Sequence, residues 1–157
     1  MKRFIIGVDP GRTGGISVVD RELGKLYMHE IPVIGKVIDC KAVGEIFKIY
    51  AEDSFCVMEN IHAIANVPAT TNFSLGNTCG IKETWLVALN IPYVKIAPVK
   101  WQTAMWVGIP PMIDKKGKKD TKAMSLVAAK RFFPETNFLK SKDGLYDAAL
   151  MAKYGEL

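Results

Sequence analysis

The run Ile5-Ile6-Gly7-Val8-Asp9 constrains this chain most, because it reads as a buried strand closed by an acid and followed at once by Pro10-Gly11. A carboxylate at the edge of a core is expensive unless a cation or a hydrogen-bond network compensates it. The pattern recurs in Phe55-Cys56-Val57-Met58-Glu59, a second short apolar run ending in an acid. Near the C-terminal end, Asp143 and Asp147 stand one helical turn apart in Asp143-Gly144-Leu145-Tyr146-Asp147-Ala148. Two strand-end acids and a helical pair point to a divalent metal site.

With 157 residues, 49% of them apolar, the chain fits one domain, residues 1–157, with a substantial core. Cys40, Cys56 and Cys79 are odd in number and widely spaced, which argues against a disulfide framework or a zinc site. No apolar stretch approaches the roughly 20 residues that span a bilayer, and Met1-Lys2-Arg3 leads into a strand rather than a signal peptide. The expectation is a soluble, cytoplasmic protein of a bacterial cell or a virus-infected host cell. The formal charge is +5, and Lys95 to Lys142 carries 11 Lys/Arg against 3 acids. Nucleic acid is the natural polyanion for such a segment, with a merely solubilising surface as the alternative.

Along the chain, Arg3–Asp9, Ile16–Val19 and Lys25–Ile31 read as strands of a meander, with Gly11, Gly14 and Gly15 expected at positive φ in the first turn. Cys40–Ala51 has Val43, Ile46, Phe47 and Tyr50 at helical spacing and returns the chain to strand Phe55–Glu59, making a parallel pair with the first strand plausible. Helix Leu75–Leu89, strand Tyr93–Ile96 and helices near Thr121–Phe133 and Asp143–Tyr154 follow. Pro110 to Asp120, with its proline pair, Gly117 and four lysines, reads as a mobile loop. The class is α/β, with a mixed sheet whose first three strands are antiparallel and whose later strands are parallel, flanked by helices.

Hard oxygen ligands suit Mg²⁺, and two ions about 4 Å apart serve phosphodiester hydrolysis when several carboxylates converge from different elements. Asp9, Glu59, Asp143 and Asp147 meet that requirement if the strands ending in Asp9 and Glu59 are neighbours. Positions four apart share a helix face, so Asp143 and Asp147 could act together; Asp143 as a helix N-cap is the alternative. Trp101 and Trp106 are expected to anchor the basic segment to the core rather than stack on DNA. The glycines after Asp9 also resemble the first phosphate motif of the actin and sugar-kinase superfamily. That fold binds ATP between two domains, and 157 residues supply one.

Gly7-Val8-Asp9-Pro10-Gly11 with Thr13-Gly14, Met58-Glu59, and Asp147-Ala148-Ala149, in this order and spacing, resemble the RuvC-type Holliday junction resolvases of the RNase H-like superfamily, particularly its short phage-like members. The resemblance implies an RNase H-like fold and a homodimeric endonuclease that makes paired nicks in four-way DNA junctions. It implies two Mg²⁺ ions per site, with Mn²⁺ able to substitute, held by Asp9, Glu59 and Asp147. The family's remaining acid or histidine would fall at Gly144, so Asp143 is its candidate replacement. Lys100 and Lys122 match the family's basic catalytic positions, and a lysine there would neutralise charge on the scissile phosphate.

His62, three residues after Glu59, occupies the place of a family aromatic, and Phe73 lies across the same Asn/Thr-rich stretch; both are candidate DNA contacts, as are Lys115, Lys116, Lys118 and Lys119. Helix Leu75–Leu89, through Trp85, Leu86 and Leu89, is the expected dimer interface. Two other readings stay open: an RNA-processing nuclease of the same fold, and a catalytically silent, structure-specific DNA-binding protein.

Overall fold

The computed structural model describes residues 2–157. It opens with β1 (Phe4–Asp9), β2 (Gly15–Asp20) and β3 (Lys25–Glu30), followed by a small hairpin of β4 (Val33–Ile34) and β5 (Val37–Ile38). Helix α1 (Cys40–Tyr50) leads to β6 (Ser54–Glu59), α2 (Ala69–Ala88) to β7 (Tyr93–Ile96), and α3 (Pro98–Met105), α4 (Thr121–Phe132) and α5 (Asp143–Tyr154) complete the chain. The main sheet has the order β3-β2-β1-β6-β7. β1 pairs antiparallel with β2, and β2 with β3; β1–β6 and β6–β7 are parallel. This is the mixed sheet that the sequence predicts, with the strands ending in Asp9 and Glu59 side by side.

Alternation along the strands sorts the core into two layers. Ile6, Val8, Cys56 and Met58 face α1 and α2, where they meet Val43, Phe47 and Leu86. The odd positions face the other way: Val57 packs with Leu150, Met151 and Trp101, and Ile5 with Ala152. Asp9 and Glu59 share the parity of Ile5 and Val57, so both carboxylates leave the sheet on the side covered by α5.

Helix α5 sits unusually close to the sheet. A Cβ on Gly7 would lie 1.9 Å from the Ala148 carbonyl oxygen and 2.5 Å from the Ala152 nitrogen, and one on Gly15 would lie 2.7 Å from the Gly144 oxygen. Small residues on both elements let backbone approach backbone, which carries Asp147 down to the strand ends. Gly11, Gly14 and Gly15 do not have the positive φ expected from the sequence; that conformation belongs to Gly24, Gly35, Gly108 and Gly117. Closeness, rather than a left-handed turn, is what Gly14 and Gly15 supply.

Three other expectations change. Helix α2 begins at Ala69, six residues before Leu75, so Phe73 is helical rather than on a loop. The segment after β7 contains α3, with Pro98 in its first turn where proline's missing N–H costs nothing. The lysine-rich stretch forms a tight turn: Asp114 Oδ1 accepts from the Lys116 and Lys118 backbone N–H groups at 2.8 and 2.9 Å, and Ile113 bridges Lys119. Asp114 satisfies the donors that a loop without structure would leave to water.

A candidate metal centre at the strand ends

Asp9 closes β1, and its Oδ1 accepts the Gly11 N–H at 3.1 Å. Glu59 closes β6 one step beyond the Val8–Met58 pair, and its Oε1 accepts the Trp101 indole N–H at 3.1 Å. Trp101 is buried on α3, so the expected anchor also orients an acid. Asp147 comes from the second turn of α5. Burial raises the carboxyl pKa of Asp9, partly offset by the Gly11 N–H and by Lys82. Burial and then the charge of Asp9 raise that of Glu59, against the Trp101 hydrogen bond. Asp147 is pushed up to about 7 by burial, moderated by the Ser125 hydroxyl and reinforced by Asp9, Glu59 and Asp143. The acids therefore share one low-dielectric edge and repel one another.

Whether this edge suits a cation is tested by its unsatisfied atoms. Asp147 Oδ1 is buried and has no hydrogen-bond partner. A buried carboxylate oxygen without a donor is costly, and hard anionic oxygen is the ligand that Mg²⁺ or Mn²⁺ prefers. The donor set fits. Among the described residues, however, no three His, Cys, Asp or Glu side chains close around a point as an ion's ligands would. The acids are neighbours in an open arrangement.

Asp143 is not the helix N-cap, the alternative that the sequence left open for it. Helix α5 has Lys142 at its N-cap, Asp143 is the first helical residue, and the cap makes no side-chain hydrogen bond. Asp143 Oδ2 instead pairs at 2.5 Å with Lys122 Nζ, near the start of α4. The partnership raises the lysine's pKa, through the hydrogen bond first and the charge second. The pair joins two predicted site residues and sets up a direct comparison. Asp143→Asn frees Lys122, and if Asp143 serves an ion it also increases the Mg²⁺ concentration needed for half-maximal cutting by about tenfold, as expected for loss of a group supporting a metal. Melting temperature should barely move, since exposed ion pairs contribute about 0–1 kcal/mol. If Lys122→Met produces the same Mg²⁺ shift, the pair rather than the carboxylate is responsible.

The remaining predicted residues lie on other segments and are exposed. Lys100 is exposed in α3, and Lys115, Lys116 and Lys118 are exposed in the turn, while Lys119 places its ammonium 4.7 Å from the Trp106 ring centroid. His62 is exposed after β6, 3.4 Å from the Asn60 amide nitrogen, and Phe73 is 80% exposed on α2. Asn72 ties the intervening stretch down, accepting from Ile64 N at 2.9 Å and donating to Ile64 O at 3.0 Å. Thr13 and Gly14, with Asp143, line a cleft of about 260 Å³.

Of the three side chains expected at an interface on α2, only Leu86 is closed off from a partner by full burial. Leu86 is fully buried, Trp85 and Leu89 pack against the core, and the Trp85 indole N–H donates to Cys40 O at 2.7 Å. These side chains are used within the fold. Sequence reasoning also missed Lys82, a fully buried lysine that lies between Thr78 and Leu86 on the inward row of α2. Its position on an otherwise buried i, i+4 row was the available signal.

No family profile matches the chain, and no curated protein matches it in sequence. Among solved structures it is similar to T. thermophilus RuvC in complex with a Holliday junction substrate, with a TM-score of 0.66 and 14% identity, over 98% of this chain and 95% of that one. The chain has an RNase H-like α/β fold. Within that class its architecture is RuvC-like over nearly its whole length. Among the described residues, no helix is long and apolar enough to cross a membrane.

Proposed function

We propose that this protein is a metal-dependent endodeoxyribonuclease that resolves four-way DNA junctions as a homodimer, hydrolysing phosphodiesters in paired nicks. The observation that carries the reading is Asp147 Oδ1, buried without a donor beside Asp9 and Glu59, in a fold similar to a RuvC captured with a Holliday junction. Asp9, Glu59 and Asp147 would hold Mg²⁺, or Mn²⁺ in its place, with Asp143 as the further ligand. When bound, such ions supply Lewis-acid activation of water and neutralisation of phosphate charge.

The chain's own residues divide the remaining work. Trp101 fixes Glu59, and Gly11 fixes one oxygen of Asp9. Lys122, paired with Asp143, and Lys100 would supply positive charge to a phosphate carrying developing negative charge. His62 and Phe73 offer flat, exposed rings for unpaired bases, and the lysine turn extends the footprint along the backbone. A twofold dimer matches a substrate that requires two symmetric cuts.

Cleavage of a four-way junction, a linear duplex and an RNA–DNA hybrid under Mg²⁺ tests the assignment. The junction should be cut at least tenfold faster than either alternative. Preference for the hybrid would favour RNA processing, and binding without cutting any of the three would favour a silent DNA-binding protein.

Binding should also weaken with salt, with a log–log slope of about −0.9 per phosphate contact on duplex DNA. Replacing Lys115, Lys116, Lys118 and Lys119 by Gln should reduce that slope by about one per lysine in contact. An unchanged slope would return the turn to a solubilising role.

A further inference from the structure

The buried lysine has a specific connection to the metal edge. Lys82 Nζ donates to Pro10 O at 2.6 Å and to Gly11 O at 3.3 Å. The Pro10 carbonyl belongs to the same peptide unit as the Gly11 N–H, which donates to Asp9 Oδ1. One peptide plane therefore has an ammonium on its oxygen and a carboxylate on its nitrogen. Hydrogen bonds in such a chain polarise one another, most strongly where the dielectric is low. Pro10 has no N–H, so Gly11 supplies the first backbone donor after Asp9. The Gly14 N–H also donates to Gly11 O at 3.0 Å, which holds the carbonyl that Lys82 shares.

We propose that Lys82 is a positioning residue for Asp9, acting through the Pro10–Gly11 peptide to orient the carboxylate and leave its second oxygen for a cation. The proposal rests on the metal-site reading above. A lysine that only satisfied two buried carbonyls would matter for stability. A lysine that orients Asp9 sets metal affinity as well, as partners that hold metal ligands commonly do.

The test compares the full-length wild-type chain with Lys82→Met and Lys82→Gln, measuring Mn²⁺ affinity by electron paramagnetic resonance and folding by thermal melts without metal. Lys82→Met should increase the Mn²⁺ dissociation constant about tenfold. Lys82→Gln, whose amide still donates but carries no charge, should fall between it and wild type. A cooperatively melting Lys82→Met chain with wild-type Mn²⁺ affinity would overturn the proposal. Independently of either variant, the wild-type Gly11 amide proton should resonate downfield and exchange slowly; a random-coil shift with fast exchange would also overturn it. A wild-type chain that bound Mn²⁺ but cut no junction would remove the substrate reading and leave this one standing. A wild-type chain that bound no Mn²⁺ would overturn both the metal site and this proposal.

Discussion

If the proposed function holds, Asp9→Asn and Asp147→Asn should each lose junction cutting by about 10³-fold or more, while the folded proteins still shift a junction in a gel. Loss of a group acting as a metal ligand would withdraw about 4 kcal/mol or more of transition-state stabilisation, and each 1.36 kcal/mol is tenfold in rate. Binding survives because carboxylates repel phosphate. Asp147→Asn carries a second expected sign. Its Oδ1 is buried, and burial together with charge repulsion from Asp9, Glu59 and Asp143 raises its pKa. Removing that charge should therefore stabilise the metal-free protein by about 1 kcal/mol, or about 2–4 °C for a domain of this size. Near-normal cutting by either variant would sink the metal-site assignment; a lower metal-free melting temperature for Asp147→Asn would count against repulsion at this edge.

Gly7→Ala should be the most damaging small substitution outside the acids. Its new Cβ would lie 1.9 Å from the Ala148 oxygen and 2.5 Å from the Ala152 nitrogen. Both obstacles are backbone within a helix, so neither can rotate away. Lifting α5 from the sheet would disturb the packing of Ala148, Ala149 and Ala152, all fully buried. The expected cost is about 3 kcal/mol or more, at the upper end for an overpacked core, read as a lower denaturant midpoint at similar slope. Because Asp147 rides on the same helix, cutting should fall further than stability alone explains. Gly76→Ala is the control: a Cβ there meets nothing within 4 Å, and alanine in a helix interior should add about 0.5–1 kcal/mol. Wild-type stability in Gly7→Ala would mean that α5 does not lie on β1 as described.

Much of this architecture was legible because its signals are local. A strand that closes on an acid can be read from Ile5–Asp9 and again from Phe55–Glu59, since alternation and burial leave few other conformations for such runs. The amphipathic spacing of Val43, Ile46, Phe47 and Tyr50 marks α1 in the same way, and the crossover it makes puts β1 beside β6. Strand-end position then follows for Asp9 and Glu59 without further information.

Partnerships are different, because they depend on which distant side chains are brought within reach. The residues around Asp143 leave a cap open, yet Lys142 takes that place and Asp143 pairs with Lys122, 21 positions earlier, once α4 packs on α5. Gly14 and Gly15 invite a positive-φ reading, yet their need for glycine comes from Asp9 and from α5 lying against them. Trp85 suggests an interface, yet its ring packs against Gly44 of α1 and both it and Leu89 lie partly buried against the core. Lys82 shows the contrast most clearly: its place on an inward helical row is a property of the sequence, but its two acceptors, 71 and 72 positions away, exist only in the folded chain. The five strands of the main sheet, helices α1, α4 and α5, and the acids that close β1 and β6 could be read from the chain, because backbone periodicity and local burial act over a few residues. Tertiary structure alone decided which oxygen each donor meets, because hydrogen bonds and charges act over ångströms regardless of separation along the chain.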